Sequence, residues 1–485
     1  MNSMSKSGAK LALLGVISAA SLIMSGCTGD ESSTDSTTTG YLKASAASLA
    51  TISAEDYSDN SYGLISGSTL TSWIDNWATN KPAGINGELI ILQVSDGALG
   101  DYKYFKPAAG VRSYSLGSST WVETRDNGVT ETVSVVLSGK KMDALLAAYD
   151  IDPNNDMIVF AMGHGGGFQS MLMGRAHYLF RYWGAEATHL AMLNGGATHA
   201  SVIPAESRAT YLGTTNSGSA PTGGTVSVKD LTVDNTILQA TLGDMMSVAR
   251  GEVSDAFIID ARSPGEWGGD LYSTGGTSSD CIDVEDLDED GDTTDTYGCK
   301  TAMNGTIHSA ANLNYVGLLI TDDGTEDLSG NGNNDASYRY LDKTSLAAKI
   351  SDTGYTSGKT IYTYCRTTYR AMVVGTASGV VLGYPTRFYD GAMIEWLQMA
   401  NVANKSGSDN LPATSPWQTS ALTDNLTYNT ASYVDTPTIT DAYAGNTSSV
   451  VNEDIIYKAG SVSTLSSAAS SSSSEGNLPA NPCGG

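Results

Sequence analysis

Basic residues are scarce in this chain. Lys and Arg number 26 against 52 Asp and Glu, which leaves a net charge of −26. A protein of that sign repels phosphate backbones and anionic lipid head groups. Nucleic-acid binding and docking to lipid by charge are therefore excluded. Cysteine is scarce too, with five in 485 residues, so each one can be considered singly. Long apolar runs are also missing. The run at residues 11–24 is too short for a comfortable membrane span. What remains is rich in Gly, Ser and Thr, and its length allows two core domains plus tails.

The stretch Tyr364-Cys365-Arg366-Thr367-Thr368-Tyr369-Arg370-Ala371 organises the rest. Lys359-Thr360-Ile361-Tyr362-Thr363 predicts a buried strand before it, and residues 371–377 predict a helix after it. Cys365 thus falls where a strand ends and a helix begins. Loop amides at such a joint converge on an anion, and the helix start adds its positive end. Arg366 and Arg370 add two formal charges. All three effects favour thiolate over thiol, which suits nucleophilic attack on anionic substrates. Single cysteines are also often buried and inert, and these residues alone leave both readings open.

Lys6 and Lys10, the short apolar run and Met24-Ser25-Gly26-Cys27 resemble a bacterial lipoprotein signal. The resemblance implies cleavage before Cys27 and acylation of its thiol. Thr28, where Asp would be an alternative, implies outer-membrane sorting. An ordinary secretory signal is the competing reading of residues 1–26. Residues 27–65 read as a tether, Ser/Thr-rich from 31 to 40. In an oxidising compartment Cys281 and Cys299 form a plausible local disulfide, which leaves Cys365 for chemistry. Cys483, in a Ser-rich tail, either stays reduced or pairs with Cys365 as a resolving thiol.

Two units of similar plan follow. In the first, residues 66–200, Ser68 caps a helix, residues 88–94 and 156–162 are strands, and residues 141–149 are a helix. The second of those strands runs into Gly163-His164-Gly165-Gly166-Gly167 and a helix that includes residues 175–182. Residues 201–231 are a linker. In the second unit, residues 232–401, a helix at 238–250 precedes a strand at 256–262, and a helix at 345–351 precedes the strand into Cys365. Alternation of this kind predicts α/β architecture with parallel sheets, and the matching order predicts an internal duplication. Residues 402–485 read as a polar tail, irregular and then of low complexity.

At this point a family resemblance becomes specific. Asp260-Ala261-Arg262-Ser263-Pro264-Gly265-Glu266-Trp267-Gly268 resembles the opening motif of a rhodanese domain. The Cys365 stretch resembles its active-site loop, and Tyr389-Asp390-Gly391 with Glu395-Trp396 resembles its closing motif. The first unit resembles a rhodanese domain without the cysteine. Residues 66–401 together resemble tandem thiosulfate or mercaptopyruvate sulfurtransferases, with an inactive first half and an active second half. The resemblance implies a persulfide on Cys365, a small anionic sulfur donor, a thiol acceptor and no required cofactor. It implies that Arg366, Thr367, Thr368, Tyr369 and Arg370 surround the donor, with Arg262 either pointing to the site or bridging to Glu266. Thr368 stands where glycine is usual and tolerates a positive φ poorly. Tyr369 is bulky where a small residue is usual. His308, in Gly305-Thr306-Ile307-His308, reads as structural.

Residues 269–304 form an acidic insertion. Asp286, Asp288, Asp290, Asp292 and Asp295 resemble the start of a calcium loop, without the Glu that would complete it. Asp327, Ser329, Asn331, Asn333 and Asp335 form a second candidate Ca2+ loop, and solvated polar loops are the alternative for both. Two further functions compete with sulfur transfer: a non-catalytic scaffold lipoprotein of the envelope, and thiol-dependent reduction of selenite-type oxyanions at Cys365.

Overall fold

The computed structural model describes residues 42–94, 101–126, 131–221, 223–268, 272–274, 281–286, 297–301, 305–328, 330–396, 419–420 and 450–459. Ten strands carry the architecture. In chain order they are β1 (Gly63–Ile65), β2 (Leu89–Gln93), β3 (Val111–Ser115), β4 (Met157–Met162) and β5 (Leu190–Gly196), then β6 (Gln239–Ala240), β7 (Ala256–Asp260), β8 (Ala311–Asn312), β9 (Thr360–Tyr364) and β10 (Thr386–Tyr389). The first sheet has the order β1-β5-β4-β2-β3 and the second β6-β10-β9-β7-β8. Every pairing within them is parallel. The second order is the first with each strand replaced by its counterpart. The fold is α/β with two five-stranded parallel sheets, and the internal duplication is visible in the topology.

Alternation along the strands explains the layers. Ile90, Leu92, Ile158, Phe160, Leu190 and Met192 face one core, while Leu89, Ile91, Met157, Val159, Ala191 and Leu193 face another. Successive strand residues point to opposite faces, so both faces of the first sheet are covered, as a parallel sheet requires. Ile259, Ile361 and Phe388 of the second sheet join that same first core, whereas Ile258, Tyr362 and Tyr389 face a third. One central core is therefore shared by the two halves.

The main helices are α1 (Gly67–Asp75), α2 (Gly139–Tyr149), α3 (Gly167–Tyr182), α4 (Leu242–Ala249), α5 (Pro264–Gly268), α6 (Lys343–Ser351), α7 (Tyr369–Gly375) and α8 (Val450–Ala459). α3 and α7, the helices that follow the two central strands, pack together. A Cβ added at Gly174 would lie 2.9 Å from that of Met372, so glycine permits the close crossing. Thr376–Val381 continue α7 as a π-helix.

Several local boundaries depart from the sequence reading. Ser66, not Ser68, caps α1, accepting the Thr69 N–H at 3.1 Å. α4 starts at Leu242 because Thr241 and Asp244 form a capping box there. Residues 42–65, read as tether, are partly built into the fold. Leu42–Lys43 pair with Val233–Asp234, and Gly63–Ile65 form an edge strand. Residues around Tyr457, read as irregular, include α8. Its buried Asp454 takes a bidentate bond from Arg125 (2.9 and 2.8 Å) and one from the Tyr182 hydroxyl (2.7 Å).

Candidate active site

Hydrogen bonds at the C-terminal edges of the two sheets establish which residues correspond. The Val94 N–H donates to the Ala161 carbonyl at 3.0 Å, and the Ala261 N–H to the Tyr364 carbonyl at 2.9 Å. The Ala197 N–H donates to Met162 at 3.0 Å, and the Met393 N–H to Cys365 at 3.1 Å. Thr198 donates to Gly163 at 3.1 Å, and Ile394 to Arg366 at 3.3 Å. Met162 therefore occupies the position of Cys365, and Asn194 that of Asp390. The first loop then carries one more residue before its helix. The missing cysteine is a methionine at the end of β4, rather than a position inside the glycine run.

Cys365 is fully buried in the central core. The loop behind it turns through Thr368, at φ 65° and ψ −6°. A β-branched residue in the left-handed region is strained by about 1–2 kcal/mol. Its hydroxyl donates to the Tyr389 carbonyl at 2.8 Å and the Asp390 carbonyl at 3.2 Å, which holds it there. The positive φ is thus kept without glycine. At the matching position Gly166 has φ 179°, an extended conformation open to any residue.

The arginines are allotted differently from the sequence expectation. Arg370 forms a buried bidentate pair with Glu266, at 2.5 and 2.8 Å. Burial would raise the Glu266 carboxyl, but the Arg370 hydrogen bond and charge, with Arg262 beyond, hold it down at about 2. Arg262 pairs with Asp260 at 2.9 and 2.7 Å and also reaches the Gly305 carbonyl. It neither bridges to Glu266 nor has its guanidinium available to a substrate. Arg366 is 9% exposed and Thr367 2%. The Tyr369 ring packs against Phe168 of the first half, with centroids 5.8 Å apart. Tyr369 therefore contributes to the contact between the halves.

Sequence reasoning missed the closing turn's partner. Asp390 is bound by both terminal nitrogens of Arg175, on α3 of the first half, and accepts the Val136 N–H at 2.7 Å. All of these atoms are buried. An arginine inside the mostly apolar run 171–176 was the available signal. Glu395, next to this turn, is pushed up to about 7 by burial and by Asp390, against a hydrogen bond with Tyr389. His308 is exposed.

Cys27, Cys483, Asp288, Asp290, Asp292, Asp295 and Ser329 lie outside the described residues. In the insertion, Cys281–Asp286 pair with Tyr297–Thr301 in a register that sets Cys281 opposite Thr301 and Cys299 opposite Val284. The two cysteines are thus on adjoining strands but not directly opposed. Asp286 ends the first of those strands. In the second acidic loop Asp327 accepts the N–H groups of Gly330, Asn331 and Gly332 at 2.7, 3.2 and 2.8 Å. Asp335 accepts that of Leu328 at 2.7 Å, and the Asn331 side chain that of Asn333 at 2.8 Å. Among the described residues no three His, Cys, Asp or Glu side chains converge as a metal site.

No family profile matches the sequence, and no curated protein matches it. Similar solved structures include the Tum1 protein from Saccharomyces cerevisiae, at 13% identity over 75% of this chain and 100% of that one, with a TM-score of 0.47. SseA from Escherichia coli, described with the "rhodanese" fold and as a 3-mercaptopyruvate sulfotransferase, is 14% identical over 68% of this chain and 98% of its own, with a TM-score of 0.41. A persulfide form of EanB with ergothioneine is 15% identical over 69% and 68%, with a TM-score of 0.44.

Proposed function

We propose that the chain is a tandem rhodanese-like sulfurtransferase with one working site, at Cys365. The observation that carries this reading is the seat of Cys365. It directly follows the central strand of a parallel sheet, ahead of a left-handed turn and a helix, beside Arg366. The Cys365 thiolate attacks the outer sulfur of thiosulfate or a related donor. A sulfur–sulfur bond forms, and sulfite departs with the electron pair of the bond that breaks. The persulfide anion is stabilised by loop amides and Arg366. An acceptor thiolate or cyanide then takes the outer sulfur and restores the Cys365 thiolate. Arg370 and Arg262 act as positioning residues, each held against a carboxylate. Export by a lipoprotein signal acylated at Cys27, with outer-membrane anchoring, belongs to the same proposal, as does Ca2+ bound by the acidic loops in a structural role.

The full burial of Cys365 and the pairing of Arg370 with Glu266 favour a second reading, in which both halves act as a non-catalytic docking scaffold. Intact mass separates the two. The chain is reduced, freed of reductant and treated with thiosulfate, mercaptopyruvate or polysulfide. A gain of one sulfur that cyanide removes, and that Cys365→Ser lacks, is expected. No gain from any donor would leave the scaffold reading, or selenite-type chemistry, in its place.

A further inference from the structure

The left-handed turn behind Cys365 is held by a series of buried polar contacts that begins in the first half. Arg175, on α3, is 1% exposed and Asp390 0%. Both terminal nitrogens of Arg175 bind the Asp390 carboxylate, which also accepts the Val136 N–H at 2.7 Å. The guanidinium is fixed in turn by the Ser134 carbonyl at 3.0 Å and the Trp121 carbonyl at 3.4 Å. A planar fork that binds one carboxylate and two carbonyls leaves little freedom to either partner. Asp390 is therefore anchored to the first half.

From Asp390 the contacts continue along the main chain. The Thr368 hydroxyl is shared between the carbonyls of Tyr389 and Asp390, at 2.8 and 3.2 Å. The Met393 N–H donates to the Cys365 carbonyl at 3.1 Å, and the Ile394 N–H to that of Arg366 at 3.3 Å. A trans peptide points its C=O and N–H in opposite directions. With both carbonyls turned toward the closing segment, the N–H groups of Arg366 and Thr367 are turned away from it. Two peptide planes next to the sulfur are thus set by the closing segment, and the strained corner at Thr368 is set by the same turn. Ala392, inside that segment, is also left-handed, at φ 53°. Residues other than glycine persist at positive φ only where their surroundings over-determine them.

We infer that Arg175 is a positioning residue for Cys365: through Asp390 and Thr368, the first half holds the amides of the second half's loop in the arrangement that favours the thiolate. The inference rests on Cys365 as the reacting group of the proposed function. The packing of the first half is in this way coupled to the ionisation of the thiol. Other charges surround the loop as well. Arg370 faces Glu266 and Arg262 faces Asp260 in buried pairs, Arg366 lies on the loop, and Glu395 follows the closing turn. Thr368→Val alters none of these charges and changes little volume, but it removes the hydroxyl.

The test is a thiolate titration of the full chain, read as the ultraviolet absorbance of each variant less that of the same variant with Cys365→Ser. This readout needs no sulfur donor and no access to the buried thiol. In the native chain Cys365 is expected to ionise below the ordinary value of about 8.5. Arg175→Met and Thr368→Val should each lower the ionisation constant about tenfold or more, which raises the pKa by about one. Thr368→Ser, which keeps the hydroxyl, should return the titration toward the native one. A role in stability alone would not separate Thr368→Val from Thr368→Ser in this titration. An ordinary native titration, equal titrations of Thr368→Val and Thr368→Ser, or a shift in Arg175→Met alone would each overturn the inference. The last would mean that the charge of Arg175 acts directly. Should Arg175→Met not fold, Thr368→Val and Thr368→Ser decide. Intact mass after thiosulfate, mercaptopyruvate or polysulfide is followed in parallel. If the native chain gains no sulfur, the sulfurtransferase reading fails, while the titration still decides this inference.

Discussion

The two halves share a sheet order and a pattern of hydrogen bonds at the strand ends, yet they differ in charge. In the first half Asn194 accepts the Tyr340 N–H of the second at 2.8 Å. In the second half its counterpart Asp390 accepts the Val136 N–H of the first at 2.7 Å. The contact is reciprocal, but one partner is a neutral amide and the other a buried carboxylate that requires Arg175. Two further buried pairs, Arg370 with Glu266 and Arg262 with Asp260, lie in the half that carries Cys365. The backbone scaffold has been kept in both halves, and charge has been buried around one loop. Under the proposed function, that difference would suit the second half to holding an anionic sulfur and the first to packing.

The largest effect expected is on chemistry. Cys365→Ser should abolish the persulfide, whereas Met162→Cys should not create one in the first half. Its loop has the extra residue and lacks the flanking arginine. Mass after thiosulfate measures both, and a persulfide on the first half would break the comparison.

Next comes the closing turn. Arg175→Ala leaves Asp390 buried without its cation and should lower stability by about 3–5 kcal/mol. Asn194→Ala, at the matching place, removes one neutral hydrogen bond and should lower it by about 1–2 kcal/mol. Urea unfolding midpoints compare the two, and equal losses would mean that the asymmetry of charge is not reflected in stability.

A smaller difference is expected at the helix starts. Thr368→Gly relieves the left-handed strain of about 1–2 kcal/mol but removes one hydrogen bond, shared between two carbonyls, of about 1 kcal/mol, so unfolding should change by about 1 kcal/mol or less. Gly166→Ala should also be tolerated, because φ 179° suits alanine. The new Cβ would meet only the far end of the Gln169 side chain, which can move.

A separate effect is expected on pH dependence. Glu395 has a folded pKa of about 7 against 4.5 unfolded, so its protonated form is favoured by folding. Its contribution is greatest below pH 4.5 and declines as pH rises toward 7, since the unfolded chain loses the proton first. Glu266, at about 2, acts in the opposite sense: its contribution is present above pH 4.5 and is lost as pH falls toward 2. Glu395→Gln should flatten the decline between 4.5 and 7, read as stability against pH. An unchanged profile would show that Glu395 ionises in the folded protein as it does in the unfolded chain.

Some of this was legible in the residues. The apolar run at 157–162 and the run of β-formers at 359–363 read as buried strands, and Gly163 after one and Cys365 after the other signal a turn into a helix. Strand β8 was not legible, because Ala311–Asn312 is too short to show a pattern. The partner of Arg370 was not legible for a physical reason. Proximity to Cys365 in sequence suggested a substrate cation, but Glu266 lies across the fold, and a buried guanidinium takes the nearest carboxylate.

By itself, then, the sequence determined the alternation of strands and helices, the duplication and the position of the one loop cysteine. These follow from local periodicity and order along the chain. Only the tertiary structure decided which arginine meets which carboxylate, and that Met162 stands for Cys365. Those outcomes depend on contacts between residues far apart in the chain, where packing and burial fix partners that local pattern does not encode.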